Sequence, residues 1–439
     1  MKGLLFTYFL TYGGCVVALF RPFVGLCIYY CFTVLRPQTL WFFALPQDGN
    51  YSKHVALATL IGWSISGFPR GGSLKRVMPI LLTFGGLALI FRMTTWTAIN
   101  PFVAEPVASA MAKIFLMFFV GVSLLDSPRR LKVLLWVFIL SQGYLTYDLN
   151  VSYFLSGVNV ILMNDGFGSL NNNTFALSLL PGIGIALMTS IFETRPLLRG
   201  LALFSALSSV HVVLLSESRG AYLGILAMGA IAAYSVPKTF KTLFLFSLVV
   251  LLVALLAGES VRQEFSTIFA DELDDSASYR YDTWSASFRA MLDHPFLGVG
   301  PQNFLVVSDQ YGLDKNRAAH NLYLQTGADT GVTGLFLLVT FYLLLLRRLA
   351  KIMSWKVGET SQIDPTIAGV AAGVFSGLIG YLTHSFFSAG VAIETPYLAA
   401  LLGTAAIRLA YANTRQLERV ESSAENMPRR AVRGNLRYV

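Results

Sequence analysis

The chain has 439 residues, of which 55% are hydrophobic and 13% are charged, and its formal net charge is +9. Average soluble chains carry about a quarter charged residues. This composition, with a mean hydropathy of +0.60, therefore excludes an ordinary soluble domain and indicates an all-α polytopic membrane protein. The basic excess does not indicate a nucleic-acid partner, because Lys and Arg concentrate in short loops between apolar runs.

The first apolar stretch, residues 3–36, is interrupted by Arg21 and Pro22, so it is either one bent span or two short ones. We expect one net crossing. Further apolar runs follow, most of them close to the roughly 20 residues that a transmembrane helix needs. They lie near 54–68, 77–93, 107–125, 131–148, 173–192, 199–215, 220–236, 241–257, 320–347, 366–388 and 392–411, which gives about twelve transmembrane helices.

The distribution of basic residues predicts the topology. Together with Lys2, six segments hold 22 of the 33 Lys and Arg residues and are therefore expected to face the cytoplasm, as are both termini. These segments are 69–76, 126–132, 193–199, 237–241, 347–356 and the tail from Arg408. The intervening loops, 37–53, 94–106, 149–172, 216–219, 258–319 and 388–391, then face outward. Two crossings within 3–36 would instead give thirteen spans and an outside amino terminus.

The same pattern divides the chain into four parts. Residues 1–257 are transmembrane helices with short loops, and 258–319 form one large outward loop, which is longer than usual connections and rich in aromatic residues and glycine. We expect this loop to be ordered and partly helical. Residues 320–411 return to the membrane, and 412–439 form a basic cytoplasmic tail suited to contact with anionic lipid.

Two candidate sites precede the large loop. Asn172 and Asn173, in the segment NNNTF, can hydrogen-bond a sugar or a phosphate from the outer side, or they can cap the helix that follows. Arg219, in SESRGAYLG, lies in an outward loop where positive charge is disfavoured. A charge at a membrane edge is either functional or a side chain that snorkels to the headgroups.

Within the large loop, residues 271–304 predict a helix followed by a tight turn, HPFLGVGPQNF. An apolar stripe of Tyr281, Trp284, Phe288 and Met291 suggests that this helix lies in the membrane interface. Arg280 comes one turn before Trp284, where it would meet lipid phosphate, and Tyr279 is beside it. The alternative is an ordinary amphipathic helix with a solvated arginine.

The DELDD cluster at 271–275 is the candidate for a Mg²⁺ or Mn²⁺ site. Its position suits the start of a helix equally well. We expect neither a metal nor another cofactor.

His320 opens a long apolar helix whose amino-terminal end faces outward. The partial positive charge of a helix amino terminus and nearby arginines disfavour an imidazolium, so a neutral His320 would suit general-base catalysis. The alternative is a helix-start histidine bonded to backbone. Asn321 and Gln325 would orient the base or an acceptor, and the glycines from Gly327 to Gly334 would let the helix bend or pack closely.

The ordered set of SESRGA, then an arginine four residues before tryptophan, then G-x-G, then AHNLYLQ with G-x-x-G resembles the superfamily of O-antigen ligases and O-antigen polymerases. The resemblance is strongest over about 166–340. The segments RPFVGL, LRPQ and NNN look similar to the branch of O-glycosylation ligases associated with exosortase A.

The resemblance implies a GT-C-type fold in the bacterial inner membrane with the active site facing the periplasm. It also implies inverting, metal-independent transfer of a glycan from undecaprenyl diphosphate to lipid A–core. Carried over by motif position, Arg219 and Arg280 would bind the diphosphate and His320 would be the catalytic base. Trp284, Asn321, Gln325, Tyr279, Asn172 and Asn173 are the further candidates for substrate binding.

Other functions remain open on the sequence. A polymerase or a protein O-oligosaccharyltransferase would use the same motifs and differ only in its acceptor. A transporter of lipid-linked glycans would place polar groups in mid-membrane, where Lys113 is the main predicted charge, and is therefore less favoured.

Overall fold

The computed structural model describes residues 2–67, 74–235, 275–354 and 364–425, and this part of the chain is helical apart from its loops and one isolated bridge between Phe167 and Leu170. The helices, in chain order, are α1 Lys2–Phe20, α2 Pro22–Leu35, α3 Pro37–Leu40, α4 Tyr51–Ile65, α5 Leu74–Trp96, α6 Pro101–Leu124, α7 Pro128–Ser156, α8 Val160–Met163, α9 Asn172–Phe192, α10 Pro196–Leu215, α11 Arg219–Ser235, α12 Asp275–Asp293, α13 Asn303–Val307, α14 Leu322–Met353, α15 Pro365–His384 and α16 Glu394–Glu425.

Seven helices of the described ranges are long and apolar enough to cross a membrane: α1, α5, α6, α9, α10, α14 and α15. Two shorter apolar helices are α2 and the segment Arg219–Tyr234 of α11. The prediction of an all-helical, multi-pass membrane protein is therefore confirmed, with seven candidate spans in the described residues. The count of twelve and the GT-C arrangement stay predictions, and the apolar run 241–257 lies outside the described residues.

The first apolar stretch folds as a helical hairpin. Arg21 has a non-helical backbone (φ −136°, ψ 76°) before Pro22, and small residues let the two arms pack closely. A Cβ added to Gly14 would lie 2.6 Å from Ile28 Cδ1, and one added to Gly25 would lie 2.6 Å from Ala18 Cβ.

The hairpin returns the amino terminus to the end of the molecule that carries loop 37–53. Phe6 packs on Trp41 with ring centroids 5.7 Å apart, and Tyr8 packs on Tyr51 at 5.9 Å. This geometry is that of the two-arm alternative and not of one bent span, because Arg21 and Pro22 separate the two helices and small residues pair the arms. The number of membrane crossings that residues 3–36 make stays a prediction.

Several described loops and helix ends group as their charge predicts. Segments expected to face outward contact one another at one end of the bundle, and segments expected to face inward do so at the other. The joining contacts are Ile99 N to Val299 O (3.2 Å) and Asn172 Nδ2 to Ser216 O (3.0 Å) at one end, and Lys132 Nζ to Glu193 Oε2 (2.7 Å) and Arg408 Nη1 to Val122 O (2.6 Å) at the other. The assignment of the first end to the periplasm stays a prediction.

The core of the bundle is aromatic and joins α5, α6, α14 and α16. The ring of Phe84 stacks on Tyr397 (4.8 Å, 2°) and meets Phe118 edge-on (5.0 Å) and Phe341 (4.9 Å). All four side chains are buried. Such pairs add about 0.5–1.5 kcal/mol each beyond their buried area, so they fix these helices around the start of α16.

An ion pair joins α6 and α16. Lys113 Nζ on α6 contacts Glu394 Oε1 on α16 at 2.7 Å. The second carboxylate oxygen accepts hydrogen bonds from Thr33 (2.6 Å) and Tyr29 (3.1 Å). The main predicted intramembrane charge is thus paired, although the Lys113 side chain is 43% exposed on the outside of the bundle.

Helix α14 is broken at Gly331, whose φ of 71° and ψ of −177° are outside the helical range. The turn at 295–300 packs its backbone into this break. Val299 N donates to Ala328 O (3.0 Å), Gly300 N to Asp329 O (2.9 Å) and Val332 N to Pro295 O (2.8 Å). A Cβ on Gly331 would lie 2.6 Å from the Phe296 carbonyl carbon, so only glycine fits.

We therefore expect Gly331→Ala to lower the stability of the purified protein by at least about 2 kcal/mol, because it combines backbone strain with overlap. The measurement is the thermal unfolding midpoint in detergent. Gly200→Ala is the control, since Gly200 lies within helix α10 with no neighbouring atom within 4 Å. Equal midpoints for the two variants would contradict this account of the break.

Candidate functional site

Three helix ends meet at residues 384–388, where α15 ends. Gly220, at the start of α11, lies against this segment so closely that an added Cβ would be 2.6 Å from His384 Nδ1 and 2.7 Å from Phe387 Cβ. From α12, the Arg280 guanidinium lies 5.8 Å from the Phe387 ring centroid. From α14, Leu322 N donates to Ser385 O at 2.8 Å.

This geometry brings together the three residues that the motifs singled out. Arg219 is the first residue of α11 and precedes Gly220 directly. Arg280 reaches the same segment from α12, and His320 precedes α14 by two residues. The Arg280 guanidinium and the backbone segments that carry Arg219 and His320, which are far apart in sequence, therefore lie near the end of α15.

His320 is half-buried and has a left-handed backbone, with φ of 47°. Burial lowers the pKa of its imidazole, and the charges of Arg280 and Arg317 lower it further. A lowered pKa keeps the ring neutral at pH 7, so that it can accept a proton. The electrostatic basis predicted for this histidine is thus present, although the source is burial first and arginine second.

The loop that carries His320 is held by hydrogen bonds of two buried side chains, the Gln325 amide and the Asp329 carboxylate. Gln325 Oε1 accepts from Ala319 N (3.1 Å), and its Nε2 donates to Asp329 Oδ2 (3.0 Å). Asp329 also accepts from Gln302 N (2.9 Å) and Phe304 N (3.1 Å). These bonds connect the turn at 295–304 to the residue before His320.

Asn321 caps helix α14, because its Oδ1 accepts from Tyr323 N (3.0 Å) and Leu324 N (3.1 Å). Like Gln325, it is almost fully buried. Both side chains therefore position His320 in this structure, as the sequence suggested for the base. Their contact with a substrate stays a prediction.

Tyr279 supports a second arginine. The Arg317 guanidinium lies 4.8 Å from the centroid of the Tyr279 ring and pairs with Asp314 at 2.7 Å. Arg317 was absent from the sequence-based candidates, and its position three residues before His320 was the available signal.

The predicted stripe of Tyr281, Trp284, Phe288 and Met291 lies on one side of α12. Tyr281 and Phe288 are exposed, Met291 is buried, and Trp284 is half-buried with its ring 6.4 Å from Phe387. The fully buried face carries smaller residues: Thr283, Ala286, Ser287 and Ala290. Small side chains allow α12 to lie close to α14, and contact of the stripe with the membrane interface stays a prediction.

Some polar groups near the arginines have no hydrogen-bond partner among the described residues. They include Trp284 Nε1 and Ser218 Oγ. Burying a polar group unpaired costs free energy, so both are candidates to hydrogen-bond a ligand. Trp284 was predicted; Ser218 was missed, although it adjoins Arg219 in the SESRGA motif.

The asparagines before α9 are used in several ways. Asn171 caps the helix through Thr174 N (2.9 Å), and Asn172 Nδ2 donates to Ser216 O (3.0 Å). The carbonyl oxygen of Asn173 lies 3.0 Å from His384 Nε2. Asn172 and Asn173 thus border the site, and their binding of sugar or phosphate stays a prediction.

The described ranges contain no group of three or more His, Cys, Asp or Glu side chains that could hold a metal ion. Most of the DELDD cluster, at 271–274, lies outside those ranges. The groups that the structure does bring together are suited to binding an anion with two charges and to removing a proton nearby.

Comparison with known families gives two matches. Residues 204–339 match the family described as O-antigen ligase, and this range contains Arg219, Arg280 and His320. Residues 1–178 match a family of unknown function, DUF5935. A comparison with curated proteins found no matching relative. The first match confirms the predicted resemblance.

Removing the charge at Arg317 should raise the pKa of His320, because a neighbouring cation disfavours imidazolium. We expect reaction of His320 with diethyl pyrocarbonate, which requires the neutral ring, to have its midpoint below the ordinary pKa of 6.5. Arg317→Gln should move the midpoint upward by about a few tenths of a pH unit, since this exposed charge is screened.

The measurement is mass spectrometry of the His320 peptide after reaction between pH 5 and 8. Arg317→Lys keeps the charge and serves as the matched control. A wild-type midpoint at or above 6.5, or one that Arg317→Gln leaves unchanged, would contradict the electrostatic account.

Proposed function

Because residues 204–339 match the O-antigen ligase family, we propose that the protein transfers a glycan from undecaprenyl diphosphate to a hydroxyl of lipid A–core, at the periplasmic face of the bacterial inner membrane. The observation that supports this proposal is that the Arg280 guanidinium and the segments that begin with Arg219 and follow His320 all reach the end of α15, with Arg280 close enough to His320 to lower its pKa. A diphosphate and a hydroxyl proton are what these groups can bind and accept.

The proposed reaction is a single displacement. The bond between sugar C1 and the diphosphate oxygen breaks, and the acceptor oxygen forms the new bond to C1 from the opposite face, which inverts the anomeric centre. The acceptor proton passes to His320, and undecaprenyl diphosphate leaves. His320 later returns the proton to solvent.

The arginines would act on the leaving group. Their planar guanidinium forks form two hydrogen bonds each with phosphate oxygens at fixed geometry. Charge grows on the diphosphate as the C1–O bond breaks, and fixed cations in a water-poor site stabilise that charge most. This role is the one that a divalent metal fills in other transferases, so we propose a metal-independent reaction.

The main alternative acceptors are a second lipid-linked glycan, as in a polymerase, and a Ser or Thr of a protein. Both would use the same donor and base. A transporter is less favoured, because Lys113 is paired with Glu394 and the other candidate groups lie at one end of the bundle.

The test of this function combines the purified protein, undecaprenyl-diphosphate glycan and several acceptors in the presence of EDTA. We expect lipid A–core to gain sugar, and we expect the chelator to leave the rate unchanged. The products are identified by mass spectrometry. Transfer to a lipid-linked glycan or a peptide alone would replace the ligase with an alternative, and strict dependence on added Mg²⁺ or Mn²⁺ would contradict the metal-independent mechanism.

Replacing His320 should remove the base without unfolding the protein. Asparagine is the sharpest substitution, because it tolerates the left-handed backbone at this position, whereas alanine would be strained. We expect His320→Asn to lower the transfer rate by about 10²–10⁴-fold, with a normal thermal midpoint. His294→Asn, in the exposed turn after α12, is the control and should keep full activity. Wild-type rates in His320→Asn would rule out the base assignment.

A further inference from the structure

A second polar cavity, with a volume of about 330 Å³, opens at the same end of the bundle as the candidate site. It lies among α2, α3, α7, α9 and the start of α16. The side chains used below line it: Arg36, Gln38, Ser52, Gln142, Ser178 and Glu394. Its mouth is exposed at Gln47 and Ser169, and its floor is buried at Gln142 and Thr395.

The cavity presents both hydrogen-bond acceptors and donors from groups that are fixed in place. The Glu394 carboxylate is held by Lys113, Thr33 and Tyr29. Gln142 is almost fully buried, and its Nε2 donates to Leu179 O and Ser209 Oγ, both at 3.1 Å. Its Oε1 has no partner among the described residues and lies against Gly182, so the side chain that lines the cavity is held in one orientation.

Arg36 is held in an uncommon conformation at the edge of this cavity. Its φ is 48°, it ends α2 and precedes Pro37 at the start of α3, and its guanidinium donates to Gly168 O. A non-glycine residue in the left-handed region costs free energy and persists where the surroundings require it. The LRPQ segment, which the transfer chemistry does not use, thus places Arg36 and Gln38 on the cavity.

The cavity and the candidate site share the beginning of α9. Thr174 Oγ1 lies 3.3 Å from Ser388 Oγ, in the segment that carries Phe387. The next residue, Phe175, lines the cavity. On the same helix, the backbone carbonyl oxygen of Ser178 accepts a hydrogen bond from Thr395 Oγ1 at 2.7 Å. A sugar chain that passes the amino terminus of α9 would therefore reach from one site to the other.

We propose that this cavity binds a hydroxyl-rich saccharide unit. Sugar hydroxyls both donate and accept, and the cavity offers a carboxylate, amides and a guanidinium within one small volume at the lower end of the range for ligand sites. The unit belongs either to the acceptor or to a distal part of the donor glycan, and this part of the inference rests on the proposed function.

The first test measures binding alone. Saturation-transfer NMR uses the full chain in nanodiscs with methyl hexopyranosides and free disaccharides as probes. Gln38→Leu, which removes an amide, and Ser52→Phe, which fills the cavity from α4, should each weaken binding by about 3–10-fold or more. Ser64→Phe, at an exposed position of the same helix, should bind as the wild type does, and so should His320→Asn.

Thermal midpoints confirm that each variant is folded. Two variants are used so that the loss of one to misfolding leaves the other as the test. The proposal is overturned if the wild-type protein binds no saccharide. It is also overturned if both cavity variants are folded and bind the saccharide as tightly as the wild-type protein does. This result does not depend on whether glycan transfer occurs.

The second test uses the transfer reaction to decide whether the bound saccharide unit belongs to the acceptor or to the donor glycan. A Gln38→Leu protein with a raised KM for lipid A–core and an unchanged kcat assigns the cavity to the acceptor. A raised KM for the lipid-linked glycan assigns it to the donor. Unchanged KM values for both substrates overturn the proposal, even though transfer itself continues.

Discussion

The backbone contact between the turn at 295–300 and the break in α14 is the constraint on which the site depends. Helix α12, which carries Arg280, leads directly into this turn, and His320 immediately precedes α14. One set of hydrogen bonds therefore fixes the relative position of a diphosphate-binding candidate and a base candidate. Asp329 and Gln325 extend this set to the backbone at Ala319, so the imidazole is positioned by residues that need not touch a substrate.

The other side of the site depends on the end of α15. Phe387 is the surface against which Gly220, Arg280 and Trp284 are arranged, and it contributes an apolar ring and no charge. A ring in this place limits the water around the Arg280 guanidinium, which would strengthen its interaction with an anion. Elements that are distant in sequence thereby meet at one apolar side chain.

The candidate residues that lie near one another at this site stand in motifs that the sequence shows, whereas several of their neighbours do not. Arg219, Arg280 and His320 stand in short motifs whose order is informative, and the composition alone indicates helices in lipid. Phe387 stands in no motif, and its role arises only when α11, α12 and α15 meet. Likewise Ser218 was overlooked because a serine beside an arginine has no distinctive pattern.

The packing contacts were harder still to predict. The hairpin of α1 and α2 depends on small residues at Gly14, Ala18 and Gly25. The count of basic residues in the loops gives no information on this packing, because it includes only Lys2 from this segment. The face of α12 that packs carries its smallest side chains, and the aromatic spacing on the other side of the helix gave no information about that contact. The cavity beside Arg36 is lined by several separate segments, and no single stretch of sequence encodes it.

The pair of Lys113 and Glu394 has a consequence for how the protein is made. A lone charge in the middle of a membrane helix costs about 2.5–3.5 kcal/mol on insertion, and here each charge is neutralised by a helix from the other part of the chain. Helix α6 is synthesised long before α16, so Lys113 has no Glu394 to pair with until the end of translation. Completion of the carboxy-terminal helices would then serve as the checkpoint at which the amino-terminal half becomes stably assembled in the bilayer.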